Sequence, residues 1–320
     1  MKVSLITPAA KHSRSGNRAS AMRWAGILRR LGHKVRVASD YSGGATDLMI
    51  ALHAWRSAGA IAHYRRIYPQ GPLVVALGGT DVNTFLETKP ETTIRSMIMA
   101  DALVCLHDLI GELLPAKCAD KLFVIRQSAW PLPVPRKPSV RHFDVCVVGH
   151  LREEKDPFRA AKAARLAPAA SLLRVIHMGR AHTEQWAQRA RREMARNPRY
   201  LWRGEVPRWR VRRQFVSSRL MVISSLQEGG ANVVSEAVAA GLPIIASDIS
   251  GNVGLLGADY PGYYPVGNEQ ALAALLQRAE REPRYLRLLE TRTRELAPLF
   301  TPEREAAGWE QVIASVMDSK

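Results

Sequence analysis

Apolar and polar positions along the chain come in blocks that read as strand, loop and helix in turn. Lys2–Thr7 is a short apolar run that stops at Pro8, and a polar loop from Lys11 to Asn17 follows it. Between Arg18 and Leu31, the residues Met22, Ala25, Ile27, Leu28 and Leu31 fall at helical spacing, and Gly32 supplies the cap. Strands are expected at Val35–Ala38, Asp47–Leu52, Leu73–Leu77, Ala102–Leu106 and Leu122–Ile125, with helices at Ala54–Tyr68 and Glu91–Ala100. Short apolar strands separated by helices predict a parallel, doubly wound sheet.

The segment Trp130–Pro138 interrupts the alternation with four prolines in nine residues. It fits neither a central strand nor a helix interior and reads as a stiff, extended linker. The pattern then restarts. Strands are expected at Phe143–Val148, Leu172–Ile176, Tyr200–Arg203, Leu220–Ile223 and Pro243–Ala246. Helices are expected at Pro157–Leu166, Thr183–Arg196, Trp209–Ser217, Ala231–Ala240, Asn268–Glu280, Pro283–Leu296 and Pro302–Asp318. The fold class is therefore α/β, with two Rossmann-like parallel-sheet domains. The pattern alone puts one half at 1–130, a linker at 131–138, and the other half from 139 onward. Ligands of such sheets bind beyond the carboxyl ends of the strands, so two halves facing one another are expected to form a cleft.

Composition adds one outlier to an otherwise ordinary globular chain. The 320 residues are 47% hydrophobic and 23% charged, but 46 Lys+Arg against 29 Asp+Glu leave a net charge of +17. Of the basic residues 36 are Arg, a planar, permanently charged donor suited to phosphate. An Arg-rich proteome is the alternative explanation for the excess. No apolar run approaches the roughly 18 residues of a membrane span, and the first apolar stretch is too short for a signal peptide. Cys105, Cys118 and Cys146 are scattered, without CxxC spacing. They suit a reducing compartment and a cytoplasmic location.

The sharpest candidate chemistry is Glu228-Gly229-Gly230-Ala231-Asn232-Val233-Val234-Ser235-Glu236. A β-branched strand runs into two glycines and then an apolar helix. The first N–H groups of that helix, near Ala231, Asn232 and Val233, would form an anion site. Helical side chains lean towards the N-terminus, so Glu236 can reach back to hydroxyls beside a bound phosphate. Glu228 precedes the helix and would meet the far end of the same ligand. Two carboxylates flanking a phosphate cradle fit a sugar nucleotide. The same residues also fit an ordinary glycine turn with two solvated carboxylates. Upstream, Gly149-His150-Leu151-Arg152-Glu153-Glu154-Lys155 follows the strand Phe143–Val148. Arg152 and Lys155, three apart on that loop, match two phosphates electrostatically, or they pair with Glu153 and Glu154 as a surface cluster. In the other half, the first 39 residues hold nine Lys+Arg and no acid. The loop holds Lys11, His12 and Arg14, with Arg18 at the helix start and Gly16 and Asn17 opening it, which reads as a second anion site or as a basic helix face in a basic protein.

Glu228-x7-Glu236 together with Arg152 and Lys155 resembles the donor site of GT-B glycosyltransferases, in particular the large retaining family 4. The resemblance spans essentially the whole chain. It implies donor contacts at Gly149, Arg152, Lys155, Gly179, Arg180, Glu205, Val206, Glu228, Gly229, Gly230, Ala231, Asn232, Val233 and Glu236. It also implies a C-terminal helix crossing back to the first domain, so that 302–320 joins 1–130 and the second domain is 139–301, and a His near the transferred sugar, here His53. One stretch departs from the family: after Pro243–Ala246 comes a loop, Asp248-Ile249-Ser250-Gly251-Asn252-Val253-Gly254, where the family has a Gly-rich loop with a Glu. With a short N-terminal half, this argues against a lipid or polysaccharide acceptor.

Thr7-Pro8-Ala9, Ser13 to Arg18, Ala51-Leu52-His53-Ala54 and Leu77-Gly78-Gly79-Thr80-Asp81 further resemble the SenB-type selenosugar synthases of selenoneine biosynthesis. That resemblance implies transfer of an N-acetylhexosamine from a UDP-sugar such as UDP-GlcNAc to selenophosphate, forming a carbon–selenium bond. The implied catalytic residues are Arg152, Lys155, Glu228, Asn17 and Arg18. The implied acceptor contacts are Arg14, Ser15, Gly16, Asn17, Arg18, His53, Thr80 and Asp81. Asp81 alternatively caps the turn after Gly79, and His53 alternatively begins a helix without meeting a ligand. No metal or other cofactor is expected. The partners implied are a selenophosphate synthase upstream and a selenoneine synthase downstream, with no nucleic acid and no membrane. Rival readings are a family 4 transferase with a hydroxyl acceptor, a GT-B epimerase, and a basic nucleic-acid-binding protein. The last rests on 13 Arg, three acids and three Trp between Arg174 and Arg219, but no base-reading motif accompanies them.

Overall fold

The computed structural model describes residues 1–13 and 15–318. Among them the chain divides into two compact units, Met1–Gln127 with Pro302–Lys320, and Ser128–Thr301. The first unit runs β1 (Lys2–Ile6), α1 (Gly16–Arg30), β2 (Lys34–Ala38), β3 (Leu48–Leu52), α2 (Ala58–Ile67) and β4 (Leu73–Ala76). A π-helical turn, Asp81–Phe85, leads into α3 (Leu86–Thr88) and α4 (Pro90–Met99), followed by β5 (Ala102–Cys105), α5 (Ala116–Ala119) and β6 (Leu122–Val124). The second unit runs β7 (Phe143–Val148), α6 (Arg159–Arg165), β8 (Leu173–Met178), α7 (Glu184–Arg196), β9 (Tyr200–Trp202) and α8 (Arg208–Ser217). It continues with β10 (Leu220–Ile223), α9 (Asn232–Ala239), β11 (Ile244–Ser247), α10 (Ser250–Leu256), β12 (Tyr263–Tyr264), α11 (Glu269–Arg281) and α12 (Pro283–Leu296). The last helix, α13 (Pro302–Asp318), belongs to the first unit.

Both sheets are six-stranded and parallel, in the orders β2-β1-β3-β4-β5-β6 and β12-β11-β10-β7-β8-β9. Each order reverses direction once, between β1 and β3 in the first sheet and between β7 and β10 in the second. In open α/β sheets such a reversal opens the crevice where ligands bind.

The strands read as unbroken apolar runs because both faces are covered. Leu48, Ile50 and Leu52 of β3 join one core with α1 and α13, while Met49 and Ala51 face the other with α2 and α4. In α1, Ser15 is the N-cap and its hydroxyl accepts the Arg18 N–H. Past the helix end Gly32 takes φ +87°, the left-handed cap that Cβ-bearing residues avoid. The α13 helix joins α1 through an edge-to-face pair, Trp24 and Trp309, with centroids 5.0 Å apart. Glu305 accepts from Trp24 Nε1 at 2.8 Å and Arg23 Nε at 3.0 Å.

Three local differences from the sequence expectation bear on the site. The helix after β3 begins at Ala58 rather than Ala54, because the Ala54 and Trp55 amides are bound by Asp81. The stretch from Ser250 is helical rather than a loop, anchored by Asn252 Nδ2 on the Ser247 carbonyl at 2.9 Å. Finally, the Pro-rich segment is extended and fastened to the second unit. Arg136 donates to the Ser218 and Arg219 carbonyls at 3.0 and 3.1 Å, and Lys137 N donates to Val216 O at 2.9 Å.

Candidate functional site

The loops leaving β7 and β10 meet at the reversal point of the second sheet. Ser224 Oγ, just past β10, donates to the Lys155 and Asp156 carbonyls at 3.1 and 2.9 Å, and Leu226 N donates to Glu154 O at 2.8 Å. This lacing brings together two residues 73 positions apart: Lys155 Nζ forms an ion pair with Glu228 Oε1. The same oxygen accepts from Ser225 Oγ at 2.7 Å. Glu228 is held from behind by α10, since a Cβ on Gly251 would lie 2.3 Å from the Glu228 carbonyl oxygen. Only a glycine lets the two backbones approach so closely.

Gly229 and Gly230 carry the chain into α9, and Gly230 adopts φ +117°. Ala231 at the N-cap offers no side-chain acceptor to the first turn, where Asn232 and Val233 lie. Glu236, a turn into α9, pairs with the guanidinium of Arg208 at the start of α8 at 3.1 Å. Arg152 lies 3.7 Å from Glu154. Lys155 and Glu228, both expected to meet a ligand, thus meet each other, while Arg152 and Glu236 meet Glu154 and Arg208.

Beneath these loops is an imidazole that sequence reasoning missed. His177 is buried between the Gly149 carbonyl and the Tyr200 hydroxyl, at 3.0 Å from each. A carbonyl only accepts, so Nε2 carries the hydrogen and Nδ1 accepts from Tyr200. Burial pushes this group down to about 4, so the ring is neutral near neutral pH. Gly149 is fixed further by Gly179, where a Cβ would fall 1.8 Å from the Gly149 oxygen. Gly179 N donates to Gly204 O at 2.8 Å, which lines up the loop carrying Glu205 and half-buried Val206. Arg180 is exposed, and its backbone N–H donates to His150 Nδ1 at 3.2 Å.

The first unit's reversal point is built differently. His53 follows β3 at φ +81°, buried, with Nδ1 2.6 Å from Asp81 Oδ1 and Nε2 2.7 Å from Thr80 Oγ1. The remaining Asp81 acceptors take the N–H groups of Ala54, Trp55 and Gly78 at 2.8, 2.9 and 2.8 Å. His53, Thr80 and Asp81 therefore form one cluster. Asp81 is fully buried, and it reaches a ligand only through its neighbours.

At β1, the Thr7 hydroxyl donates to Asn17 O at 3.5 Å, and Ser15, Gly16, Asn17 and Arg18 form the first turn of α1. Ile6 is registered against Ala51, so this turn and the His53 loop leave from neighbouring strands. Arg14 lies outside the described residues.

Ser224, Ser225, His177 and Arg208 were not singled out from the sequence. The first two follow β10 directly, and the reversal-point rule would have flagged them. The other two act through contacts across distant segments. Among the described residues no group of three or more His, Cys, Asp or Glu is placed to hold a metal ion. No helix among them is long and apolar enough to cross a membrane.

Residues 136–296 match the family model of the glycosyl transferases group 1. No curated protein matches the sequence. Among solved structures the chain is similar to HepE from Anabaena in complex with UDP and glucose, at 14% identity and TM-score 0.78, over 98% of this chain and 100% of that one. It is also similar to the sucrose-phosphate synthase of Thermosynechococcus elongatus, at 16% identity and TM-score 0.79, over the whole of both chains. A glycosyltransferase from Rickettsia africae aligns at 12% identity and TM-score 0.76, over 100% and 99% of the two chains. These likenesses show the fold, which is GT-B.

Proposed function

The chain belongs to the glycosyl transferases group 1, and from that premise we propose that it is a selenosugar synthase, moving GlcNAc from UDP-GlcNAc to selenophosphate. The observation that carries the donor half is the Lys155–Glu228 pair set beside the start of α9 at the reversal point. Arg152, Lys155 and the first amides of α9 hold the diphosphate and stabilise the charge that develops as UDP leaves. Glu236 takes the ribose hydroxyls and Glu228 a hydroxyl of the sugar. Gly149, Gly179, Arg180, Glu205 and Val206 complete the nucleotide contacts. The acceptor half rests on the resemblance of the N-terminal motifs and on the acid-free first 39 residues. In this reading selenophosphate binds at Ser15, Gly16, Asn17 and Arg18, while His53 and Thr80, steadied by Asp81, orient the sugar.

Selenium attacks the anomeric carbon as the bond from that carbon to the diphosphate oxygen breaks. The C–Se bond forms, UDP carries away the electron pair, and the phosphoryl group remains on selenium. The nucleophile is already deprotonated, so the step needs no general base. The test is UDP release from UDP-GlcNAc with and without selenophosphate. Release that depends on selenophosphate supports the reading. Release driven only by a sugar or lipid hydroxyl, or donor turnover with no acceptor, overturns it. Arg18→Ala is expected to impair acceptor use and leave UDP binding intact, and equal loss of both would break the division of labour between the units.

A further inference from the structure

The loops leaving β7 and β8 keep pairing after the strands end. Leu151 N donates to Arg180 O at 2.9 Å and His182 N to Leu151 O at 3.1 Å, with Leu151 opposite Ala181 as in a parallel ladder. Side chains alternate along such a ladder. Leu151 is fully buried, so its neighbours His150 and Arg152 lie on the opposite face, together with Arg180 and His182 from the facing loop. The two imidazole rings are 5.7 Å apart. Two guanidiniums and two imidazoles thus share one face beside the reversal point of the sheet.

The two histidines are not equivalent. His150 Nδ1 accepts the Arg180 amide hydrogen at 3.2 Å, and a proton on that nitrogen would break the bond. His182 is exposed and can take a proton without such a loss. The groups that act on His182 are Arg152, Arg180 and Glu154, and those that act on His150 are His182, Arg152, Arg180 and Glu205. His177 lies buried beneath as a neutral ring.

We propose that His182 is a binding residue of the diphosphate site and takes up one proton from solution when the donor binds. This rests on the assignment of the donor site above. Without a ligand, the partial desolvation of the ring and then the Arg152 and Arg180 charges hold His182 below its ordinary value. A bound diphosphate has the opposite sign and favours the imidazolium. Between the free and bound values, the complex holds more protons than its parts. Donor affinity therefore rises as pH falls through the bound value and levels off below the free one.

The test is calorimetric titration of the full-length chain with UDP-GlcNAc at pH 6.5, in two buffers of different ionisation heat. A UDP-sugar is the right probe, because the terminal phosphate of UDP titrates near pH 6 itself. The expected result is uptake of roughly half to one proton, with affinity about three- to tenfold tighter at pH 6 than at pH 8. His182→Asn is expected to abolish uptake and pH dependence, His182→Lys to keep tight binding at pH 8, and His150→Asn to retain uptake. Donor binding without uptake, or uptake that persists in His182→Asn, overturns the proposal while the donor assignment stands. Absence of donor binding at any pH overturns both.

Discussion

In the first unit Asp81 is 0% exposed, and its oxygens are taken by three backbone amides and the His53 imidazole. In the second unit Glu228 and Glu236 keep 12% and 23% of their side-chain surface exposed and meet Lys155 and Arg208, cations on long stems. Both clusters sit where their sheet reverses, yet one is finished and the other is exchangeable. Three amides and an imidazole on a buried carboxylate cannot be traded for a ligand without leaving donors unpaired in a dry interior, at about 1–3 kcal/mol each. A partly exposed ion pair is worth roughly 0–1 kcal/mol, so an incoming diphosphate and sugar hydroxyls can replace it at little cost. The second site fits a ligand that exchanges charge partners. The first fits rigid placement of one imidazole and one hydroxyl.

The glycines of the two sites give the largest test of that contrast. Gly179→Ala puts a Cβ 1.8 Å from a backbone oxygen, and backbone cannot step aside. The expected outcome is loss of UDP-sugar binding and destabilisation of the second unit by about 3 kcal/mol in denaturant titration. Gly78→Ala meets the His53 ring carbon at 2.9 Å, a milder overlap with one side chain, relieved by a shift of a few tenths of an ångström in a ring that stays on Asp81 and Thr80. Its expected cost is about 1 kcal/mol, with UDP binding kept. Equal effects would show that the backbone approach at Gly179 is no tighter a constraint than the side-chain contact at Gly78.

Next in size is Lys155→Ala. If Lys155 holds the diphosphate as proposed, removing the ammonium takes a positive charge from the departing group and leaves Glu228 with Ser225 as a partner. We expect kcat/KM for the UDP-sugar to fall by roughly 10²–10³, with thermal stability nearly unchanged. A fall of less than threefold would make the Lys155–Glu228 pair structural and erase the contrast with Asp81.

Asp81→Asn tests the other side of the comparison. An amide cannot accept all of the hydrogen bonds that the carboxylate holds, because its NH₂ group turns a donor towards other donors. The expected loss is about 1–3 kcal/mol of stability in the first unit, and the KM for the UDP-sugar stays within about twofold. The matched Glu228→Gln change is expected to cost less than about 1 kcal/mol of stability and to raise that KM strongly. Reversal of the two patterns would exchange the roles assigned to the sites.

Much of this frame was legible in the residues themselves. The strands Phe143–Val148 and Leu220–Ile223 were read at their observed ends, because strands buried on both faces leave no ambiguity of phase. Lys155 and Glu228 were named from local motifs, and the fold brings them into contact. What escaped depends on backbone approach. Gly251 sat in an expected loop, yet it begins a helix whose first turn passes the Glu228 backbone. His177 looked like one more residue of a strand, and only its position under Gly149 explains a buried neutral imidazole. The Asp81 carboxylate delayed α2 by four residues, an effect that apolar spacing after Leu52 could not reveal.

Arg208 was missed for the same reason, and it supplies the smallest and most pointed test. Its side chain is 62% exposed and its ion pair with Glu236 spans two helices, so the pair adds little to stability. If Glu236 serves ribose hydroxyls, Arg208 competes for the same oxygens. Arg208→Ala then removes a competitor as well as a nearby positive charge. Those effects oppose one another, and salt separates them. At low ionic strength the lost charge dominates, and UDP-sugar affinity is expected to fall about twofold. Near 0.5 M salt, where charges more than about 4–5 Å apart are screened, freeing Glu236 dominates and affinity is expected to equal or slightly exceed that of the unaltered chain. The check is donor affinity for both proteins across a salt series. Curves that never cross would mean that Arg208 meets the diphosphate rather than guarding Glu236, and the exchangeable set in the second unit would then include a fourth cation.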